Sequence, residues 1–552
     1  MTKSENNILL FSITLCWAAS YIFIKNLPEN LSSYAYLALT TGIAAVVMVL
    51  IFFKKLRHLR KSTWIKGTFL SVLLSMNLLA EKLGIVRLSS ANASFLSALS
   101  IILVPVLLLF FHKRPTRNHV AGAIIIMAGL AVSSGLDLSG FYSTGSLYML
   151  GGCICSAVYT IAVDRFAKEE DPLLLCMVQM ILSCAVGYML WFLEDPGTVL
   201  NIEYSREMLS NLFILAFFTK AYAYIILMYS QKYTDAISVT IIASTEPVIT
   251  LLLAFLLPAA YGGNHSLTVP SAAGAALIAA GAVIAGLSFF PSLPNALPRL
   301  RKRRRPRTNF TSTMPNVTVI SKHKQFMITL CAMLLLGISF KVMVLVEGLT
   351  EIRPVNAIPP VAGLLFGPVG AAACGIGNVL ADLAGTFSPY SVLGLAGNFM
   401  AAYFPYRLWH LFSEEKPNVH SWKNIALYCW INAVTSMLVA WILSFGLYML
   451  GGTWMENIYT YVFWNELGFS YGLGMPLLIL LTSDEIGIAC CPKPKRKAWI
   501  PKRGRQVLCV AYFAVMAIIT TAITANHVQP DQNNWFMYLS TASALLLAGL
   551  FI

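Results

Sequence analysis

Two long apolar runs joined by one short polar turn, Thr219 to Pro258, limit what this chain can become. They read TKAYAYIILMYSQKYTDAISVTIIASTEPVITLLLAFLLP, with the turn at Ser230 to Asp235. Each run has the ~20 apolar residues that cross a bilayer as a helix at ~1.5 Å per residue. Lipid offers no water to exposed backbone groups, so such runs close their hydrogen bonds internally as helices. Each run also carries one central charge, Lys220 in the first and Glu246 in the second. Both stand roughly ten residues, about 15 Å, from the turn. Antiparallel packing therefore brings them to one depth and predicts contact between them. A lone charge at a helix centre costs about 3 kcal/mol on insertion scales, which pairing offsets. Two roles are open: an ion pair that locks the helices, or a site for substrate or proton.

The remainder of the chain has the same character. Of its 552 residues 57% are hydrophobic and 11% charged, against about 25% charged in soluble domains. The expected fold is an all-α polytopic membrane protein. The net charge of +15 sits in short loops between apolar runs, a pattern that reports orientation rather than a nucleic-acid partner. It places both termini and the loop 54–66 in the cytoplasm of a multi-pass protein of the cell membrane. The 11 Cys are scattered, with no Cys-x-x-Cys, which argues against a disulfide framework or a metal site. The first apolar run continues to Ile24 and reads as a retained helix. Walker A and His-Glu-x-x-His motifs are absent, so neither an enzyme nor a cofactor is expected. An intramembrane enzyme built on Asp382, Asn378 and Glu347 lacks a nucleophile–base pair.

Ten spans are expected near 8–25, 34–53, 67–86, 91–111, 119–136, 145–164, 172–193, 209–229, 236–257 and 268–290. NASFLSALSIILVPVLLLF from Asn92 resembles SVTIIASTEPVITLLLAFL from Ser238, five spans apart. An odd interval reverses the second copy, giving an inverted 5+5 repeat with a site near the midplane between halves. WAASYIFIK (Trp17 to Lys25), GIVRLSSANASFLSALSIILVP, the SQKYTDAI turn and the EPV at Glu246 carry a resemblance to the drug/metabolite transporter superfamily, EamA type. The resemblance implies a carrier of a small metabolite, amino-acid-like or related, usually moved outward. Thr40 and Thr41 stand where that family often has Arg. Trp17, Tyr21, Glu81, Lys220 and Glu246 are the candidate cavity residues. Trp17 and Tyr21 share a helix face, as packing or as ligand contacts. Glu81 and Lys82 read as a salt-bridged gate or as side chains snorkelling to the interface.

Residues 291–324 form a linker with a dense basic run, Arg301 to Arg307, suited to anionic lipid headgroups. Asn309 and Asn316 match glycosylation acceptors, without consequence on the cytoplasmic side. A second membrane module follows, with spans near 325–346, 355–367, 369–387, 389–411, 422–449 and 461–482. A C-terminal helix pair then begins after the basic loop Cys491 to Arg505. The domain boundaries are thus 1–145, 146–290, 291–324, 325–483 and 484–552. Glu347, Glu351, Arg353 and Asn356 cluster ahead of a span broken by Pro359, Pro360 and Gly367–Pro368, and Asn378 and Asp382 follow. Broken helices beside polar residues are tolerated where they line a cavity. Glu351, Arg353, Asn356, Asn378 and Asp382 are the candidate ligand residues here, although a capped loop turn would account for the first two. This stretch resembles the S component of energy-coupling factor (ECF) transporters, which implies a six-helix bundle that binds a vitamin-like molecule and, as further partners, ECF coupling subunits. Ala332 and Leu336 depart from that family's Ala-x-x-x-Ala docking face. Two functions follow: a metabolite carrier with a fused binding module, or a capture or sensor protein built on that module. Thiols introduced near residues 60 or 305 are expected to resist an impermeant reagent added outside; labelling of either overturns this topology.

Overall fold

The computed structural model describes all residues except 1, 29, 89, 111–116, 134–142, 257–267, 287–318, 342, 347–349, 453, 456, 484–485, 494–498, 527–533 and 552. The basic run Arg301 to Arg307, Asn309, Asn316, Pro258 and Glu347 lie outside the described residues. The protein is an all-α polytopic membrane protein. Nine of its helical segments are long and apolar enough to cross a bilayer, counted among the described residues. The chain divides into two compact units, Asn6–Phe310 and Thr311–Ile552, the latter including Met1–Glu5.

The first unit opens with α1 (Lys3–Lys25), α2 (Ser33–Phe52), α3 (Lys61–Ile85), α4 (Ser90–Ser97), α5 (Ser100–Phe110) and α6 (Arg117–Ser133). It continues with α7 (Thr144–Glu169), α8 (Pro172–Glu194), the short α9 (Pro196–Asn201), α10 (Arg206–Ile214), α11 (Ala223–Gln231), α12 (Ala236–Ala243), α13 (Glu246–Leu256) and α14 (Val269–Gly286). Between α10 and α11 runs a π-helical segment, Leu215–Tyr222. Polar residues in the turns start these helices. Asp235 caps α12 by accepting from Ser238 N at 2.8 Å, and Asp171 caps α8 by accepting from Leu173 N at 2.9 Å, with Pro172 in the first turn. Each cap satisfies an amide that a helix start leaves without a partner.

Two spans are interrupted at matching places. The alignment that sets Asn92 on Ser238 also sets Ala98 on Ser244 and Ser100 on Glu246. The turns that separate α4 from α5 and α12 from α13 fall at those positions. Equally matched is the pair α6 and α14. Gly122 meets Gly281 and Ala285, and Gly129 meets Gly274 and Ile278, so close that an added Cβ would come within 2.8 Å of the facing backbone. Small residues are what lets two spanning helices approach this far.

The second unit comprises α15 (Lys322–Ser339), a hairpin of β1 (Val344–Val346) and β2 (Thr350–Glu351), α16 (Ile358–Phe366), α17 (Pro368–Asp382), α18 (Ser391–Phe412), α19 (Trp422–Gly451), α20 (Ile458–Phe469), α21 (Met475–Thr482), α22 (Lys502–Asn526) and α23 (Asn534–Phe551). A second π segment, Ser470–Gly474, links α20 to α21. The span expected to run to 346 ends instead at Ser339, because the chain folds back into the antiparallel hairpin that pairs Val344 with Glu351. The hairpin supplies its own backbone partners, so the helix need not continue. The break after α16 is at Gly367, whose φ of 58° suits a residue without Cβ, and Pro368 opens α17.

One polar joint ties the start of α3 to the turn after α7. Glu170 accepts from Thr63 Oγ1 and Lys66 Nζ, both at 2.8 Å, and from Ser62 Oγ. Burial opposes its ionisation, but the bonds from Lys66, Ser62 and Thr63 outweigh it and hold the carboxyl at about 2. A carboxyl depressed on folding stabilises above its unfolded value near 4.5, and that contribution disappears as pH falls toward 2. Glu170→Gln should lower the melting temperature of the detergent-solubilised chain at pH 7 by roughly 2–4 °C per kcal/mol lost. It should also shrink the difference in melting temperature between pH 6 and pH 3; an unchanged difference counts against the joint.

Candidate functional site

The first unit encloses a cavity with about 950 Å³ of empty volume. Its walls come from equivalent spans of the two sets: α1 with α7, α3 with the π segment and α11, and the two interrupted spans. Trp17, Tyr21, Glu81, Lys220 and Glu246 all line it. The interruptions bring Ser97, Ala98 and Ser100 to one side and Ala243 and Glu246 to another. Glu246 opens α13, where the positive end of a helix favours a carboxylate. The Tyr21 hydroxyl donates to it.

Lys220 and Glu246 share this cavity, but no ion pair joins them. The carboxylate that acts on Lys220 is that of Glu81. Lys220 lies inside the π segment, where the wider turn displaces side chains by about one residue, or ~100°, from the face an α-helix would present. Residue counting from the Ser230–Asp235 turn therefore gives the depth but not the direction. Lys220 Nζ instead stands 5.7 Å from the centre of the Tyr36 ring, with Lys82 Nζ at 5.9 Å from the same ring. Such contacts contribute about 0.5–2 kcal/mol each. Lys82 is 3% exposed, and Glu81 faces the cavity, so neither side chain snorkels.

Aromatic rings complete the wall. Trp17 meets Tyr224 edge-on with centroids 5.9 Å apart, and Tyr224 meets Tyr159 in the same way at 5.9 Å. Trp17 Nε1 donates to Thr219 O in the π segment at 3.4 Å. The cavity thus offers one ammonium, two carboxylates and an aromatic flank, a combination able to hold both ends of a zwitterion.

A second cavity, with about 770 Å³ of empty volume, lies in the second unit. Arg353, Asn356, Asn378 and Asp382 line it, beside Asn465 and Glu466 of α20 and apolar residues of α18, α19 and α20. Glu351 stands behind the wall. Its Oε1 accepts from Lys341 Nζ at 2.8 Å, and the same ammonium reaches Asp382 Oδ1 at 2.9 Å. Lys341, drawn inward by these two carboxylates, is the physical reason that Glu351 is absent from the cavity surface. Arg353 Nη2 donates to Asn378 Oδ1, and Asn378 Nδ2 donates to Asp382 Oδ2 at 3.2 Å. Asn465 Oδ1 receives Arg353 N at 3.1 Å. Gly394 makes room for this chain, since a Cβ there would fall 2.5 Å from Asn378 Nδ2.

Sequence reasoning missed Tyr159, Tyr224 and Ser100 in the first cavity and Tyr36 beside Lys220, and Asn465 and Glu466 in the second with Lys341 behind its wall. Signals for some were present. The repeat register places Ser100 opposite Glu246, and Asn465–Glu466 interrupts an otherwise apolar YVFW–LGF stretch.

Comparison with known proteins bears on the first unit. Residues 6–135 and 143–287 each match the EamA-like transporter family. A protein of Archaeoglobus fulgidus described as an "uncharacterized transporter" is 25% identical over 266 residues, which is 46% of this chain and 89% of that protein. A solved structure described as "crystal structure of protein" aligns over 52% of this chain and 99% of its own, at 20% identity and a TM-score of 0.42.

The electrostatic assignment has a direct test in melting temperatures of single and double variants. Lys220→Met should relieve the cost of Glu81→Gln, with a coupling of about 0.5–3 kcal/mol. Its effect should add to that of Glu246→Gln within ~0.5 kcal/mol. Stronger coupling to Glu246 than to Glu81 would reverse the assignment.

Proposed function

The N-terminal half of the chain, residues 6–135 and 143–287, belongs to the EamA-like transporter family, and we propose from that premise that its cavity carries a small zwitterionic, amino-acid-like metabolite outward across the cell membrane. The observation that carries this reading is the company of Lys220 with Glu81 and Glu246 in one space walled by both five-span sets. Lys220 meets the carboxylate of the cargo, Glu246 its ammonium, and the Trp17–Tyr224–Tyr159 flank its side chain. Glu81 is the acidic neighbour of Lys220 while the site is empty. Interrupted spans put helix ends beside the cargo, the arrangement that lets alternating access proceed around a fixed site. Lys54, Lys55, Arg57, Arg60 and Lys61 in the loop after α2 face anionic headgroups on the cytoplasmic side.

The second cavity favours an additional reading for the C-terminal half: a membrane module, similar to an ECF S component, that captures a small vitamin-like molecule. It lies at the end of its unit where α17 and α19 finish and α18 and α20 begin. The basic segment Cys491 to Arg505 leaves from the opposite end, after α21. With that segment in the cytoplasm, the cavity opens outward. In this reading ECF coupling subunits are candidate partners, and the carrier half is the output of a capture or sensor device.

Export assays in vesicles with the full chain test the carrier. Glu246→Gln and Lys220→Met should each lower flux of the amino-acid-like cargo about tenfold or more, as loss of a hydrogen bond to a charged group costs ~1.5–3 kcal/mol. Wild-type flux from both variants, at equal protein in the membrane, refutes the assignment.

A further inference from the structure

Glu466 on α20 is the acidic side chain of the second cavity whose hydrogen bonding is incomplete. The residue is 3% exposed and lines the same space as Arg353 and Asp382. Its Oε1 has no hydrogen-bond donor. The surrounding charges leave it short of a partner. Lys341 is shared between Glu351 and Asp382. Arg353 acts on Glu466 only through space, its Nη2 being engaged by Asn378. Lys341 and Arg353 Nη2 are thus both engaged elsewhere, and Glu466 Oε1 is left without a donor. A buried acidic oxygen without a donor is unfavourable, so the site has room for one more group that donates a hydrogen bond. Adjacent to it, Asn356 offers an amide, and Leu443, Leu447 and Val462 provide an apolar wall.

We propose that this cavity binds a small molecule bearing a protonated amine, with the ammonium on Glu466 and an apolar body along α19 and α20. The proposal rests on the reading of the C-terminal half as a capture module and names the class of molecule captured. Binding gives Glu466 Oε1 its donor. A purely anionic ligand would bring no donor to Glu466 Oε1. Arg353 remains available for a carbonyl or hydroxyl of the same molecule.

The test uses the immobilised full chain in detergent, with two probes: the small-molecule extract of the cells that express it, and the same extract after acetylation of its amines. Retained compounds are identified by mass spectrometry. Wild-type protein is expected to retain a compound from the untreated extract and to lose it, by about tenfold or more, when amines are capped; Glu466→Gln should lower retention by a similar factor, and Glu466→Asp should keep the amine preference. Because the capping comparison is made on the wild-type chain, it stands even if Glu466→Gln does not fold. Equal retention after capping, or undiminished retention by folded Glu466→Gln, overturns the proposal. A retained compound without an amine that is lost from the cavity-blocked variant Leu443→Trp overturns the amine assignment and leaves the capture module in place. If wild type and Leu443→Trp retain the same compounds, or none, both the proposal and the capture reading fall.

Discussion

Hydrocarbon cannot hydrogen-bond, and every irregularity of this chain answers to that fact. A spanning helix can loosen only where something other than lipid receives its backbone groups. The first unit does so at the α4–α5 and α12–α13 turns and in the π segment Leu215–Tyr222, all bordering one cavity. In the second unit Gly367 at the α16–α17 break is buried and Pro368 exposed, and the π segment Ser470–Gly474 is buried or half-buried. Both π segments are met by an aromatic side chain from a neighbouring helix: Trp17 donates to Thr219 O at 3.4 Å, and Tyr428 donates to Ser470 O at 3.0 Å. One carbonyl in each segment thereby gains a side-chain donor. Charged or amide side chains then occur at the same places, within Leu215–Tyr222 as Lys220 and just ahead of Ser470 as Asn465 and Glu466.

The two units handle buried charge differently. In the first, the charges are spread around an open space and answer each other at a distance, with the Tyr36 ring beneath Lys220 and Lys82. Glu81, Lys220 and Glu246 line that space, whereas Lys82 does not. In the second, a chain of direct bonds runs Glu351–Lys341–Asp382–Asn378–Arg353. A network closed in this way rigidifies its surroundings, since loss of any member leaves another group unsatisfied.

Much of this organisation was legible in the sequence because its causes are local or periodic. Span positions follow from apolar length, but 91–111 and 236–257 were expected as continuous spans, and their interruptions at 98–99 and 244–245 were not anticipated. Trp17, Tyr21, Glu81, Lys220 and Glu246 were recognisable because charges and paired aromatics are rare within such runs. The carboxylate opposite Lys220 was not recognisable, because a π turn has no residue signature and its extra residue redirects every side chain it contains. Nor was the role of Lys341, which depends on where α15 stops, and that is decided by the hairpin at Val344–Glu351 rather than by apolarity. Glu351 accordingly supports the ligand cavity from behind.

The contact of α6 with α14 has a symmetry that reaches beyond packing. Gly122 faces Gly281 while Gly129 faces Gly274, and the later pair repeats the spacing of the earlier one in reverse direction. Each helix thus offers the same patch to the other, the relation that defines an isologous interface between two identical subunits. Here a single polypeptide makes that interface with itself. Severing it between α6 and α7 would yield two five-span pieces that recognise each other through this seam and must enter the membrane facing opposite ways. The covalent connection through residues 134–143 therefore spares the cell the task of inserting the two halves with opposite orientation in equal number.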